Sequence, residues 1–281
     1  MVAESVRELI AEATRELSDA GVASPRVDAE LIAAHVLDTE RGRIFTYENF
    51  SPAQANSFRS YVDTRCSHVP VQYIIGLAPF RYLEVEVGPG VLIPRPETEL
   101  VAQHAIDTAK SMPGTPIVVD LGSGSGAIAL SISTEAPRSR VIAVERESSA
   151  FVWLKRNVAN LAPSIECKQG DVADALQDLN GKVDIAVANP PYVNSHSEMP
   201  FEVSNFEPAE ALLGGGDAGI EIPGLFARAA SRLLKQGGTF ICEHGEDQGL
   251  AIAALLSPDF IEVTLHTDFN DRPRWTSAVR R

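Results

Sequence analysis

After residue 97 the chain alternates short apolar runs with helical stretches, and this alternation limits the possible folds more than any other feature. Residues 117–120 (Ile-Val-Val-Asp) read as a buried strand ending in a carboxylate. Residues 141–145 (Val-Ile-Ala-Val-Glu) read as a second strand with the same ending. A weaker third strand, 165–168, closes on Gly170-Asp171. A fourth, 184–188, runs straight into Asn189, and a fifth, 239–242, into Glu243-His244-Gly245. Further strands fit 261–266 and 276–280, and helices fit 126–135, 148–160 and 222–235. Such alternation predicts an α/β domain, a mostly parallel sheet with helices on both faces. Ligands of such sheets bind outside the carboxyl ends of the strands, where the strand order reverses.

The loop after the first strand is Asp120-Leu121-Gly122-Ser123-Gly124-Ser125-Gly126. Glycines there allow a sharp turn and close approach of backbone to a ligand. The spacing is Gly-x-Gly-x-Gly, unlike the Gly-x-Gly-x-x-Gly of dinucleotide binders, and no Lys-Ser/Thr follows to make a phosphate-binding P-loop. Glu145 ends the next strand about 20 residues on, where an acid accepts hydrogen bonds from ribose hydroxyls. Asp171, after the third strand, is placed to meet an adenine amino group. Asp120 and the glycine spacing favour S-adenosylmethionine over a pyrophosphate-bearing cofactor. The expected cofactor contacts are therefore Asp120, Gly122, Ser123, Gly124, Ser125, Gly126, Glu145 and Asp171.

Asn189-Pro190-Pro191-Tyr192 follows the fourth strand. Both prolines fix φ, so the loop restricts its own backbone. An amide or aromatic amino nitrogen is planar and a poor nucleophile because its lone pair is delocalised. Two acceptors that take both of its N–H bonds hold it and enrich it in electron density. The Asn189 side-chain oxygen and the Pro190 carbonyl suit that task, and Tyr192 offers an aromatic face for a flat group. Asn189, Pro190 and Tyr192 are the candidate catalytic residues, Asn189 to Tyr192 (with Pro191) the candidate acceptor-binding residues, and Asn189 also faces the cofactor. Alignment of the partners supplies much of the rate of a direct displacement.

Residues 1–70 read as a small helical domain. Val6, Leu9, Ile10, Ala13 and Leu17 recur at helical spacing, with Gly21 as a stop. Ser24-Pro25 opens a second helix, with Val27, Leu31, Ala34 and Leu37 as its expected apolar face. Ser51-Pro52-Ala53-Gln54 carries a capping-box signature. Residues 71–96 form the expected hairpin linker, with a strand over 80–87, a turn at Gly88-Pro89-Gly90 and a short returning strand at 91–93. Residues 97–281 form the main domain.

Charge and cysteine content exclude several classes. The net charge is -14, and residues 1–70 hold seven Lys/Arg against eleven Asp/Glu. Neither part is basic, which weighs against binding to duplex nucleic acid. Cys66, Cys167 and Cys242 are too scattered for a disulfide framework or a metal cluster, and no metal site is expected. Reduced cysteines, no secretory signal and no run approaching ~20 apolar residues predict a cytoplasmic protein without a membrane partner.

Several further runs complete the pattern: Pro70-Val71-Gln72-Tyr73-Ile74-Ile75-Gly76, Phe80-Arg81, Ile93-Pro94-Arg95-Pro96-Glu97-Thr98-Glu99, Phe206-Glu207-Pro208, Glu243-His244-Gly245 and Arg274-Trp275-Thr276. With the glycine loop and the Asn-Pro-Pro-Tyr tetrapeptide, the chain resembles the HemK/PrmC family of protein-(glutamine-N5) methyltransferases along almost its whole length. The resemblance implies a helical N-terminal domain that recognises the substrate, a β-hairpin linker and a seven-stranded Rossmann-like class I methyltransferase domain. It implies S-adenosylmethionine as methyl donor and, as partner, class-1 peptide chain release factors, methylated on the glutamine of a Gly-Gly-Gln motif. Arg95, Glu97 and Thr98 fall near the cleft without an assigned role. The competing expectations are an amino-methyltransferase acting on adenine or cytosine, which would flip its target base, and a nicotinamide- or nucleotide-binding protein without methyl transfer.

Overall fold

The computed structural model describes residues 4–281, within which the chain divides into two compact units. One runs to Leu77 and includes Pro200–Phe206. The other comprises Ala78–Met199 and Glu207–Arg281.

The first unit contains β1 (Glu4–Ser5), α1 (Val6–Asp19), α2 (Pro25–Leu37), β2 (Asn49–Phe50), α3 (Pro52–Cys66) and α4 (Val71–Ile75), with β1 and β2 antiparallel. The apolar stripe of α1, from Val6 to Leu17, is buried as its spacing predicts. Ser51 and Gln54 form the expected reciprocal capping box. Ser24 precedes α2 but makes no side-chain cap bond. The expected face of α2 needs correction. Val27 is exposed and Leu31 half-buried, while Asp28, Ala29, Glu30, Ile32 and Ala33 join Ala34 and Leu37 inside. The reason is arginine pairing. Asp28 accepts a hydrogen bond from Arg65 Nε at 2.7 Å, and Glu30 accepts from Arg26 at 2.9 Å and Arg41 at 2.7 Å. A buried carboxylate is tolerated only with such partners. Arg65 also donates to Glu202 at 2.6 Å, which ties in α8 (Phe201–Phe206), a segment supplied from much later in the chain.

A hairpin leads into the second unit. It pairs β3 (Leu77–Phe80) with β4 (Leu83–Glu86) around Arg81-Tyr82, and residues 91–93 form no strand, contrary to expectation. Two contacts explain the difference. Arg81 takes a left-handed φ of 53° and its guanidinium donates to Glu135 at 2.6 Å and Gln103 at 2.6 Å. That pins a turn where the sequence suggested a continuing strand. Ile93 spends its N–H on the Glu207 carboxylate at 3.0 Å, so it is not available to a ladder.

The rest of the unit is α5 (Thr98–Ser111), β5 (Ile117–Leu121), α6 (Ala127–Glu135), β6 (Arg140–Glu145), α7 (Ser148–Leu161), β7 (Glu166–Gln169), β8 (Val183–Ala188), α9 (Glu221–Leu233), β9 (Leu234–Glu243), α10 (Gly249–Leu256), β10 (Phe260–Thr267) and β11 (Pro273–Arg280). Seven strands form one sheet in the order β10-β11-β9-β8-β5-β6-β7. The strands from β9 to β7 along that order are parallel, and β11 is antiparallel to both of its neighbours. Successive residues of β5 enter opposite cores. Val118 packs with Leu130, Ile132 and Leu154 on one face, and Val119 with Phe226, Leu233 and Phe240 on the other. Burial on both faces explains why these strands read as continuous apolar runs. From β5 the chain moves outward to β6 and β7, then returns to β8 and β9 on the other side. The order therefore reverses between β5 and β8, where a crevice opens. No described helix is long and apolar enough to cross a membrane.

Candidate active site

Strand register brings the two marked loops together. Leu121 of β5 lies opposite Ala188 of β8, so Gly122 and Asn189 leave the sheet side by side. Leu121 also lies opposite Val144, which puts Glu145 one residue beyond, and Ala188 lies opposite Cys242, which puts Glu243 level with Asn189. Chain-distant residues thus share one end of the sheet because four strands stop in step.

The glycine loop needs its glycines. Gly122, Gly124 and Gly126 have φ of 70°, 55° and 89°, a region costly for residues with a Cβ. A methyl on Gly122 would meet the Phe226 ring at 2.9 Å. One on Gly124 would find nothing of the protein nearer than Val91 at 4.0 Å, which leaves that backbone open to a ligand. Glu145 anchors the loop. Its buried carboxylate accepts the Gly124 N–H at 2.8 Å with one oxygen and the Glu147 N–H at 2.8 Å with the other. Burial pushes its pKa up, and these N–H groups oppose the rise. Ser123 donates its hydroxyl to the Asp120 carbonyl, and the Ser125 carbonyl accepts from Asn157.

Asp120 is fully buried. Its Oδ2 accepts the Ala129 N–H at 3.2 Å and its Oδ1 has no partner among the described residues. Burial pushes its pKa up to about 7, against the pull of Ser123 and the Ala129 N–H. It faces α6 and the loop's own backbone, not the open cavities. Asp171 sits at the rim, half-exposed, where Oδ1 accepts the Ala173 N–H and Oδ2 lies 3.5 Å from Arg146.

Two cavities meet at this end of the sheet, and both are lined by Gly122, Pro191 and Glu210. The first, of about 350 Å³, has Val172, Ile222 and Phe226 as apolar walls, with Arg146 and Asp171 at its edge. The second, of about 190 Å³, is bounded by Val91, Leu92, Glu145 and Asn189. A small third cavity, of about 40 Å³, is lined by Arg95, Asn189, Pro190 and Tyr192.

The tetrapeptide is held from several sides. Asn189 donates its Nδ2–H to the Thr98 hydroxyl at 3.1 Å, and Tyr192 donates its O–H to Glu243 Oε1 at 3.2 Å. Gln248 donates to the Tyr192 carbonyl at 2.8 Å. Burial and the neighbouring Glu243 push the Tyr192 hydroxyl's pKa up, so it remains a donor. The three-glycine run, read from sequence only as low complexity, is where backbone meets backbone. A Cβ on Gly214 would lie 2.7 Å from the Tyr192 Cα, and beside that contact Gly214 donates its N–H to the Val193 carbonyl at 2.9 Å while the Val193 N–H goes to the Leu212 carbonyl at 2.8 Å.

Other marked residues form supports. Glu207, in the Phe-Glu-Pro run, accepts from Ile93 N–H at 3.0 Å and from Arg95 at 2.6 Å. His244 donates from Nδ1 to the Gly245 carbonyl at 2.8 Å and accepts at Nε2 from the Thr276 hydroxyl at 2.9 Å, which joins the two C-terminal motifs. Trp275 stacks on His266 and donates to His104. Sequence reasoning missed Gln248 and gave no role to Glu207 or Glu243. Only the runs Phe206-Glu207-Pro208 and Glu243-His244-Gly245, part of the family resemblance, signalled Glu207 and Glu243.

The chain matches known proteins along its length. Residues 8–76 match the family described as PrmC N-terminal domain, and residues 98–218 the family described as Methyltransferase small domain. The release factor glutamine methyltransferase of Mycolicibacterium smegmatis is 39% identical over 277 residues, 98% of this chain and 98% of that protein. The protein of the same name from Streptomyces coelicolor is 40% identical over 274 residues, 96% of each chain. Among solved structures, a T. Thermophilus 16S rRNA methyltransferase, determined with AdoMet and guanosine, superposes with a TM-score of 0.54. It is 19% identical and covers 73% of this chain and 50% of that one, a likeness of fold.

Proposed function

We propose that this chain, which belongs to the release factor glutamine methyltransferase family, uses S-adenosylmethionine to methylate the side-chain amide nitrogen of the glutamine in the Gly-Gly-Gln motif of class-1 release factors. The observation that carries this reading is the register that sets Asn189 beside Gly122 at the reversal of strand order.

The crevice suits the donor. The apolar walls of the larger cavity, Val172, Ile222 and Phe226, fit a flat heterocycle, with Asp171 as a polar group at its edge. Glu145, on the second cavity, keeps lone pairs for sugar hydroxyls after accepting its two N–H bonds. Gly122 to Gly126 supply a backbone that a ligand can approach. Asp120 shapes the loop from beneath and offers a buried, unpartnered oxygen. S-adenosylmethionine, when bound, supplies an electrophilic methyl group on sulfur.

The acceptor side follows from the tetrapeptide. Asn189 has committed its Nδ2–H to Thr98, so Oδ1 is the atom left to accept from a substrate amide. The Pro190 carbonyl accepts the second N–H, and the Tyr192 ring, held by Glu243, flanks the amide plane. With both N–H bonds taken, the nitrogen lone pair is oriented and enriched. The N–C bond forms as the S–C bond breaks, and the methylated nitrogen then loses a proton to water. We assign recognition of the factor's body to the helical unit, supported by its match to the PrmC N-terminal domain.

Binding separates the cofactor classes. Calorimetry with S-adenosylmethionine, S-adenosylhomocysteine and NAD should show affinity for the first two alone. Binding of NAD without S-adenosylmethionine would overturn the reading.

A further inference from the structure

Asn157 of α7 is 1% exposed and directs its carboxamide at main chain. Its Oδ1 accepts the Glu86 N–H at 2.8 Å. Its Nδ2 donates to the Glu86 carbonyl at 2.9 Å and to the Ser125 carbonyl at 2.9 Å. A carboxamide has two N–H donors, and both are used here. These partners fix its orientation, since a flipped amide would set Oδ1 against two carbonyls and Nδ2 against an N–H.

The two backbones it joins belong to opposite sides of the second cavity. Ser125 is in the glycine loop. Glu86 ends β4 and leads to Gly90, Val91 and Leu92, which wall that cavity. The two sides face each other closely, for a Cβ on Gly124 would find Val91 at 4.0 Å. Other residues of α7 seat the same wall. One turn before Asn157, Trp153 donates its Nε1–H to the Pro89 carbonyl at 3.3 Å, and its ring lies 2.5 Å from where a Gly88 Cβ would be. One turn earlier again, Ser149 lies 2.8 Å from the place of a Gly90 Cβ. Residues at this spacing share one face of a helix, so a single stripe of α7 carries residues 86–90. Asn157 reaches beyond that stripe to the glycine loop.

We propose that Asn157 is a positioning residue for the methyl donor, the brace that holds the wall at residues 90–92 at a fixed distance from the glycine loop, with Trp153 seating the outer end of that wall. This rests on the function proposed above, in which the cofactor occupies this cavity. A wall that is already in place need not be ordered when the ligand arrives, and affinity gains accordingly. The side chain suits the task, because aspartate has the same shape but no N–H to give to Ser125. The acceptor loop is held separately, Asn189 by Thr98 and Tyr192 by Glu243 and Gln248. Slack at Asn157 therefore acts on the cofactor and spares the groups that hold the acceptor amide.

The test uses the full-length protein with S-adenosylmethionine and purified class-1 release factor. Asn157→Asp keeps the acceptor oxygen but sets a second oxygen against the Glu86 and Ser125 carbonyls. Calorimetry should show S-adenosylmethionine affinity lowered roughly tenfold or more, since small misplacements in a site cost on that order. At saturating cofactor kcat should stay within about threefold, and KM for the factor within about twofold. A merely structural asparagine would instead lower the active fraction, and so kcat, with cofactor affinity unchanged. Asn160→Ala removes only an exposed contact to the Glu86 carboxylate and should bind the cofactor as the wild type does. Hydrogen exchange of the wild type should show residues 86–92 and 122–126 protected together by S-adenosylhomocysteine. In Asn157→Asp, protection of 86–92 should be lost and that of 122–126 kept. Should Asn157→Asp fail to fold, Trp153→Ala, which frees the outer end of the wall, should show the same fall in affinity with kcat retained. Wild-type affinity in the variant that folds, an equal loss in Asn160→Ala, or no protection of 86–92 in the wild type would overturn the proposal. If the wild-type protein binds no S-adenosylmethionine, the function it rests on fails, and the proposal falls with it before any variant is compared.

Discussion

Glu207 and Arg95 meet at 2.6 Å, and the same carboxylate takes the Ile93 N–H at 3.0 Å with its other oxygen. The Glu207 side chain is 2% exposed. This pair joins the residues before α5 to Pro208, Ala209, Glu210 and Ala211, which line the two larger cavities. Glu207→Ala should therefore act twice. It leaves a buried N–H unsatisfied and Arg95 unpaired, a loss of about 2–3 kcal/mol in urea unfolding. It also frees one wall of the crevice, so affinity for S-adenosylmethionine should fall. Unchanged affinity would show that the wall stands without the clasp.

Asn189→Ala removes the acceptor but no cavity wall of comparable size. Its kcat should fall on the order of a hundredfold or more, the scale of losing one charge-stabilising contact to the reacting group. S-adenosylmethionine affinity should remain close to wild type. An unchanged turnover number would refute the acceptor role.

Gly124→Val places a β-branched residue at φ 55° with its side chain toward the crevice. Both backbone strain and blockage act in one direction. Calorimetry should show S-adenosylmethionine affinity reduced by tenfold or more, a penalty of about 1.4 kcal/mol or above.

Asp120 predicts a pH dependence. Burial raises its pKa to about 7 in the folded protein, while in the unfolded chain it titrates near 3.9. Between these values the folded state binds the extra proton. Its contribution to stability therefore falls as pH rises from about 4 to 7, and above 7 the full cost of ionising it remains, on the order of a few kcal/mol. His104, His244 and His266 have lowered pKa values through burial and act in the opposite direction below pH 6.5. The clean measurement is the difference between the wild-type protein and Asp120→Asn across pH 4.5 to 8, without cofactor. The wild type should lose ground to the variant as pH rises. A constant difference would mean that Asp120 titrates normally.

Much of the second unit was legible because its physics is local. Strands buried on both faces are apolar throughout, and each stops at a glycine, an acid or a proline loop. The failures were non-local. The face of α2 was misread because Asp28 and Glu30 look solvent-facing until Arg65, Arg26 and Arg41 are in place. The hairpin was misplaced because Arg81 turns the chain, and its partners Gln103 and Glu135 lie 22 and 54 residues away. Residues 200–206 could not be assigned to the helical unit from spacing, since the link is Arg65 to Glu202.

The same division holds at the site. Gly122 to Gly126, Glu145 and Asn189 to Tyr192 stand out as patterns. Thr98, Glu243 and Gln248 matter through contacts between residues far apart in the chain, Asn189 with Thr98, Tyr192 with Glu243 and the Tyr192 carbonyl with Gln248. Gly214 looked like filler until its backbone was seen against that of Tyr192.

The most direct test of the central claim is transfer of label from radiolabelled S-adenosylmethionine. Three acceptors are compared: a class-1 release factor, its twin with the Gly-Gly-Gln glutamine changed to alanine, and duplex DNA. Label on the native factor alone is the predicted result. Equal label on the twin, or label on DNA in preference to protein, would contradict it.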